Sequence, residues 1–185
     1  MTNLKGVWTP ILTPQNSHYS IDKTRYFTHL RWLLNHGVDG IVIFGTNGEA
    51  TSFSVSERME LLDWVKEEKI PSEKIMVGTG CSALTDTVTL GQHAVSSGYY
   101  HHLMLPPFYY KSQSQSVLVR YFSEFIQQIG DDRLKIFLYD SPQLSGMHFD
   151  VNIELEFMVK FPNQIVGYKD SSVILENTIN IQNYG

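Results

Sequence analysis

The chain of 185 residues is 42% hydrophobic and 18% charged, which is typical of an ordinary soluble protein with room for one domain and a hydrophobic core. Its formal net charge of -5 and the lack of any lysine or arginine cluster argue against a nucleic-acid or anionic-membrane surface. Cys81 is the only cysteine, so no intrachain disulfide can form. No apolar run reaches membrane-spanning length. The sequence therefore predicts a soluble cytoplasmic protein.

The hydrophobic pattern predicts a strand followed by a helix six times along the chain. The predicted strands span residues 6–12, 41–44, 75–78, 102–105, 134–139 and 165–169. The predicted helices span about 22–36, from 54 onward, about 85–97, 116–129 and 151–160, and from about 173 to the end. The second helix is expected to open at Ser54, because Ser54 and Glu57 have the spacing of a capping box.

This order of elements predicts an α/β fold with a parallel sheet. Short connections between units of about 30 residues favour right-handed crossovers, as in a doubly wound sheet or a (β/α) barrel. The barrel is favoured, because the first strand ends in Thr9–Pro10 rather than in a glycine-rich dinucleotide motif. A complete (β/α)8 TIM barrel needs eight units and about 250 residues. Residues 1–185 are therefore expected to form a single incomplete barrel domain of about six units, with the seventh and eighth missing.

In a barrel, reactive groups gather at the carboxyl ends of the strands. Lys169 ends the sixth predicted strand, where loss of hydration favours the neutral amine that can attack a ketone. The alternative is that Lys169 only marks where the strand emerges into water. Tyr139 ends the fifth strand, on the same rim and one strand away, where a phenol could pass protons. Lys169 and Tyr139 are therefore expected to converge on one small molecule.

Two further strand ends carry polar or aromatic residues. The run Gly45–Thr46–Asn47–Gly48–Glu49 follows the second strand, and its glycines, side chains and N–H groups could hold a carboxylate, although a plain glycine turn is an equal alternative. The fourth strand ends in a stiff aromatic loop from Pro106 to Lys111, which also suits a subunit or core contact. His101 and His102 lack acidic or cysteine partners at ligand spacing, so no metal site is predicted.

Four segments together resemble the family of pyruvate-dependent class I aldolases that contains dihydrodipicolinate synthase and N-acetylneuraminate lyase. They occur in the order and spacing of that family, and the resemblance covers essentially the whole chain. The segments are Gly45–Thr46–Asn47–Gly48–Glu49, Pro107–Phe108–Tyr109–Tyr110, Tyr139–Asp140–Ser141–Pro142 with Leu144–Ser145–Gly146, and Gly167–Tyr168–Lys169–Asp170.

The resemblance implies a chemical role for individual residues, with no metal or other cofactor. Lys169 matches the lysine that forms a Schiff base with pyruvate or another 2-oxo acid, and the protonated imine then serves as an electron sink. Tyr139 matches the tyrosine that shuttles protons. Thr46 matches the hydroxyl that relays them and, with Asn47 and Gly48, contacts the substrate carboxylate.

The resemblance also implies an assembly. Tyr109 matches the tyrosine of the aromatic loop that reaches into the site of a neighbouring subunit, in homotetramers built from tight dimers. Glu49 is interpreted as a brace for the loop or helix start rather than a catalyst.

Departures from the family pattern favour a lyase or aldolase that cleaves a 2-oxo acid into pyruvate and an aldehyde. Leu144 stands where the synthases carry an arginine for the second substrate's carboxylate, and an alkyl group cannot replace that contact. Asn47 stands where the synthase and the lyase usually carry Ser or Thr, as Asn does in related hydroxy-oxo-acid aldolases, and its amide can still donate to a carboxylate. Three alternatives stay open: the synthase reaction with aspartate semialdehyde, a dehydratase or deaminase acting through the same imine, and an inactive truncated remnant.

Overall fold

A computed structural model describes residues 4–174 and residue 179 of the chain. Its centre is one parallel sheet of six strands, which lie side by side in the order in which they occur in the sequence. The strands are β1 (Trp8–Pro10), β2 (Gly40–Ile43), β3 (Ile75–Gly78), β4 (His101–Met104), β5 (Lys135–Asp140) and β6 (Ile165–Asp170).

Helices connect the strands and cover one face of the sheet. They are α1 (Lys23–Asn35), α2 (Val55–Glu67), α3 (Leu84–Ser96), α4 (Gln115–Ile129), α5 (Pro142–Ser145) and α6 (Val151–Lys160), with 3-10 turns at Ala50–Ser52 and Ser72–Lys74. The predicted strands and helices before residue 173 are confirmed, with ends displaced by at most two residues. The last predicted helical segment lies almost wholly outside the described residues.

The strand order distinguishes the two predicted architectures. A doubly wound sheet reverses its strand order at a switch point, whereas a barrel adds each strand beside the previous one. Every successive pair from β1–β2 to β5–β6 is parallel and adjacent. The predicted barrel-type α/β fold is therefore confirmed, while its organisation as one incomplete domain stays a prediction.

The two faces of the sheet carry different clusters of buried side chains. The helix-facing side packs against two large clusters, one of which holds Phe122, Phe157 and the partly buried Tyr168. The opposite face, which is the interior of the barrel, holds a smaller cluster. Its members are Val42, Met76, Leu103 and Tyr139. Since side chains alternate along a strand, neighbours on β5 and β6 point into different clusters.

Side-chain caps stabilise the N-termini of three helices, α1, α2 and α6. The Ser54 hydroxyl accepts a hydrogen bond from the Glu57 N–H, while the Glu57 carboxylate accepts one from the Ser54 N–H, which confirms the predicted capping box. Asp22 and Asp150 cap α1 and α6 more simply, since each carboxylate accepts one hydrogen bond from a backbone N–H, that of Arg25 and Ile153 respectively. None of the helices found among the described residues combines the length and apolar character that crossing a bilayer requires.

The buried His102 on β4 predicts a loss of stability in acid. It is fully buried against Phe125, and burial lowers its pKa to about 4. The unfolded chain takes up this proton near pH 6.5 and the folded chain only near pH 4, so the free energy of unfolding falls as the pH drops through that window. The change for this group is on the order of 3 kcal/mol. We expect His102→Leu to remove this contribution in chemical denaturation measured from pH 7 to 4.

The exposed His18 provides the matched control for this experiment. His18→Gln should retain the pH slope of the wild type. An unchanged slope in His102→Leu would show that another group causes the acid sensitivity.

Candidate active site

The register of β5 and β6 brings Tyr139 and Lys169 together at the carboxyl end of the sheet. The two residues are paired across the strands, and both side chains lie on the interior face. The Lys169 amine lies 4.1 Å from the centre of the Tyr139 ring. Tyr139 is buried and Lys169 is half-buried, so an amine and a phenol share one partly desolvated space, as the strand ends predict.

The loop after β2 adds a hydroxyl to this pair. Thr46 Oγ1 and the Tyr139 hydroxyl are 3.1 Å apart, within hydrogen-bonding distance. The chain turns sharply at Phe44, whose φ of 55° is unusual for a residue other than glycine. Such strain persists where the surrounding structure fixes it, and it is common at functional sites. The turn places Thr46, an exposed residue, beside Gly45 at the wall of a cavity.

Electrostatics favour ionisation of the Tyr139 phenol. Burial alone raises its pKa, but the hydrogen bond with Thr46, the positive charge of Lys169 and nearby serine hydroxyls lower it by more in total. The pKa of Tyr139 therefore lies below its usual value of 10.0. A phenol with a lowered pKa gives up and takes back a proton more readily at neutral pH.

A cavity of about 250 Å³ has both Thr46 and Tyr139 in its wall. Apolar side chains from the segments after β4 and β5 form much of the cavity wall, and residues at the strand ends complete it. These lining residues include Phe44, Leu103, Leu105, Phe108 and Leu144. The volume suits a small organic acid rather than a large ligand.

Gly78 lets two strand ends approach closely beside this cavity. A Cβ atom at this position would lie 2.1 Å from the Phe44 carbonyl oxygen, a distance that no side chain can accept. The end of β3 must therefore be glycine for the strained turn at Phe44 to sit where it does.

The other predicted site residues lie around the rim. Asn47 is exposed, whereas Gly48 is buried and its carbonyl accepts a hydrogen bond of 2.8 Å from the Thr13 hydroxyl. Glu49 is exposed and directly precedes the 3-10 turn at Ala50–Ser52, where its side chain forms no capping hydrogen bond with a described residue, so its interpretation as a brace stays a prediction. Tyr109 has 72% of its surface exposed, and its ring packs edge-on against that of Tyr110.

Sequence reasoning missed a polar group on the helix-facing side of the same strand ends. Asp140, next to Tyr139, is fully buried and accepts a hydrogen bond of 2.6 Å from the Tyr168 hydroxyl. Its Oδ2 atom also contacts Nδ1 of His148. The alternation of β5 would have placed Asp140 among apolar residues, which is the sequence feature that could have revealed it.

The remaining candidates from the sequence have structural surroundings. Cys81 is a buried free thiol, and its sulfur accepts a hydrogen bond of 3.2 Å from the Arg58 guanidinium. The His102 ring bonds to the Tyr99 carbonyl at 3.1 Å. Within residues 4–174 and 179, no group of three or more His, Cys, Asp or Glu side chains could hold a metal ion.

Comparisons with known proteins identify related sequences and structures. The sequence model of the Dihydrodipicolinate synthetase family matches residues 3–184. An uncharacterized DapA-like lyase of Chloroflexus aurantiacus is 32% identical over 173 residues, which are 93% of this chain and 57% of that relative. The chain thus spans little more than half the length of this relative.

Two solved structures share the fold. Dihydrodipicolinate synthase from Agrobacterium tumefaciens superposes with a TM-score of 0.92 at 26% identity, covering 97% of this chain and 63% of that one. A 2-keto 3-deoxygluconate aldolase from Picrophilus torridus superposes with a TM-score of 0.88 at 25% identity, covering 98% of this chain and 63% of that one. Both likenesses support the barrel-type fold.

Proposed function

The chain belongs to the dihydrodipicolinate synthetase family, and from this premise we propose that it is a Schiff-base lyase or aldolase that reversibly cleaves a 2-oxo acid into pyruvate and an aldehyde. One observation carries the proposal: the Lys169 amine lies 4.1 Å from the ring of Tyr139. A buried phenol beside an amine supplies both the nucleophile and the proton carrier that imine chemistry requires.

The reaction begins when the neutral Lys169 amine attacks the ketone carbon of the substrate. Loss of water from the resulting carbinolamine gives an imine, whose protonated form withdraws electrons from C3. The hydroxyl on C4 then loses its proton, the C3–C4 bond breaks and the aldehyde departs. The remaining enamine takes a proton at C3, and hydrolysis of the imine releases pyruvate and restores the free amine.

Tyr139 and Thr46 manage the protons in these steps. The Tyr139 phenol protonates the oxygen that leaves as water and takes the proton from the C4 hydroxyl. The Thr46 hydroxyl, 3.1 Å away, exchanges protons with the phenol as they move between the substrate and water. Thr46 and Asn47, with the backbone at Gly48, hold the substrate carboxylate through neutral donors.

The cavity wall supports cleavage over the synthase reaction. Leu144 lines the cavity and brings no positive charge for a second carboxylate. The Lys111 amine, from the loop after β4, bonds to the Leu144 carbonyl. The synthase reaction with aspartate semialdehyde stays as the second candidate, since a crystal structure named as dihydrodipicolinate synthase superposes on the chain. Assays with a 4-hydroxy-2-oxo acid and with aspartate semialdehyde plus pyruvate distinguish the two.

Trapping of the imine tests the proposed mechanism directly. The purified protein is incubated with pyruvate, reduced with borohydride, digested and analysed by mass spectrometry. We expect a stable pyruvate adduct on Lys169 and on no other lysine. An unmodified Lys169 under conditions that label the ε-amine of a known class I aldolase would reject the proposal.

The proposal extends to a cytoplasmic homo-oligomer, a tetramer in the family, in which Tyr109 enters the site of a neighbouring subunit. The 72% exposure of Tyr109 supports this arrangement. Mixing Tyr109→Phe with Lys169→Met subunits provides the test. In a mixed dimer, one site combines an intact Lys169 with an intact Tyr109 from its neighbour, so activity should recover, and no recovery would count against a shared site.

A further inference from the structure

The pairing of β5 with β6 is irregular before it reaches the candidate site. Ile136 pairs with Ile165, but Phe137 pairs with Gly167, so one residue of β6 is skipped. Four regular pairs follow the irregularity, and the third of them is Tyr139 with Lys169. Within the described residues β6 lies at the edge of the sheet, with β5 as its neighbour. The position of Lys169 therefore depends on a short ladder behind an irregular step.

Side chains on the helix-facing side join the same two strand ends. The Tyr168 hydroxyl on β6 donates a hydrogen bond of 2.6 Å to Oδ2 of Asp140 on β5. Nδ1 of His148, from the segment between α5 and α6, contacts the same oxygen. Asp140 is fully buried, and its other oxygen, Oδ1, finds no hydrogen-bond partner among the residues that the structure describes. An uncompensated buried carboxyl oxygen is costly, so a stabilising gain must oppose it.

We propose that Asp140 is a positioning residue, which clamps the ends of β5 and β6 through Tyr168 and thereby holds Lys169 against Tyr139. The consequence for catalysis rests on the proposed function, while the clamp itself does not. Asp140 directly follows Tyr139 in the chain, and Tyr168 directly precedes Lys169. The clamp residues are therefore chain neighbours of the amine–phenol pair, and their side chains point to the opposite face of the sheet.

The geometry explains why such a clamp matters. Side chains alternate along a strand, so a slip of one residue would place Tyr168 opposite Tyr139 and turn Lys169 toward the helices. A bond between Asp140 and Tyr168 can form only in the observed register, because a slip carries the Tyr168 hydroxyl to the other face. The Tyr168 ring also packs edge-on against Phe149, 6.3 Å between ring centres, which fixes the direction of the hydroxyl.

Asp140 could act through its charge or through its hydrogen bond with Tyr168, and two substitutions separate these effects. Burial raises the pKa of Asp140, the Tyr168 and His148 contacts lower it, and the carboxylate of Asp170 raises it again, with a net rise. The contacts of the Asp140 carboxyl group therefore do not fully offset the effect of burial and of Asp170, which disfavour its ionised form. Asparagine has the same shape and keeps an oxygen acceptor for the Tyr168 hydroxyl, whereas alanine removes the acceptor.

The test compares Tyr168→Phe, Asp140→Ala and Asp140→Asn with the wild type. Tyr168→Phe deletes only the hydroxyl and keeps the ring against Phe149. Two measurements need no substrate: the nuclear Overhauser effect between the Tyr139 ring and the Lys169 side chain, and hydrogen exchange of the Ser171 N–H, which bonds to the Asp140 carbonyl at 2.8 Å. The third measurement is the rate of pyruvate trapping on Lys169. Tyr19→Phe, at an exposed phenol, is the matched control.

In Tyr168→Phe and Asp140→Ala we expect a weaker Overhauser effect, faster exchange at Ser171 and trapping slowed by about 10- to 100-fold, since misplacement of a reacting group carries a penalty of that order. Asp140→Asn should restore all three values to within a few-fold of the wild type. Wild-type values in Tyr168→Phe would overturn the clamp, as would full disruption in Asp140→Asn. If the wild type traps no pyruvate, the proposed function fails, and the first two measurements still decide the clamp.

Discussion

Replacing Lys169 by methionine is expected to abolish the borohydride-trapped pyruvate adduct and to lower the rate of 2-oxo acid cleavage by about four orders of magnitude. The expected loss is that large because the imine carries the electron pair of the breaking bond, and no other group can take over that role. Lys169→Arg should be equally inactive, since a guanidinium stays protonated and forms no imine. Trapping, mass mapping and steady-state kinetics provide the measurements.

Controls separate chemistry from folding in this experiment. Lys66→Met removes an exposed lysine on α2 and should trap pyruvate as the wild type does. Lys169→Met loses its contact with the Tyr139 ring, worth about 1 kcal/mol, so its melting transition should stay cooperative. An adduct that persists in Lys169→Met would place the imine on another residue and remove the basis of the proposed mechanism.

The sequence was sufficient to predict the pairing of Lys169 with Tyr139 because that pairing depends on regular structure. Apolar runs that end in a reactive residue locate strand ends, and parallel strands bring their carboxyl ends to one edge. The Thr46 hydroxyl could be assigned to the same rim for the same reason. Local periodicity and strand order together therefore determine where these three residues lie.

Features that depend on packing between loops were not predicted. The positive φ of Phe44 and the apolar wall that includes Leu144 arise from contacts between segments distant in sequence, which no local pattern records. The burial of Asp140 was not predicted either, because the fifth strand was expected to end at Tyr139 and the hydrogen-bond partner of Asp140, Tyr168, comes from another strand.

One missed element did have a local sequence pattern. The short helix Pro142–Ser145 begins with proline at its first position and ends at Gly146, whose φ of 69° is left-handed. Proline at the start and glycine just past the end are typical of a helix, even one of a single turn. The first strand, by contrast, is shorter than predicted because β1 pairs with β2 only from Trp8 to Pro10.

Tyr139→Phe is expected to give the second-largest loss, about 10²- to 10³-fold in the cleavage rate, which is typical for the removal of a general acid and base. The imine should still be trapped on Lys169, only more slowly, because the nucleophile stays in place. Thr46→Val should cost less, since water can replace one relay hydroxyl. The proton relay of Thr46 acts through the hydroxyl of Tyr139, 3.1 Å away, so kcat of the double variant should be no lower than that of Tyr139→Phe alone. KM should rise in the double variant, because Thr46 also holds the substrate carboxylate.

The pH dependence of the cleavage rate distinguishes the loss of the Tyr139 proton from a general loss of structure. Burial raises the pKa of Tyr139, but the Thr46 hydrogen bond, the Lys169 charge and the nearby serine hydroxyls together lower it by more, so the phenol ionises below its usual value of 10.0. The step that needs the protonated phenol should therefore slow as the pH rises through that lowered pKa. Thr46→Val removes one of the lowering contacts and should move this alkaline limb to higher pH, while Tyr139→Phe should lack it. If the limb is unchanged in Tyr139→Phe, another group carries the proton and the assignment to Tyr139 is wrong.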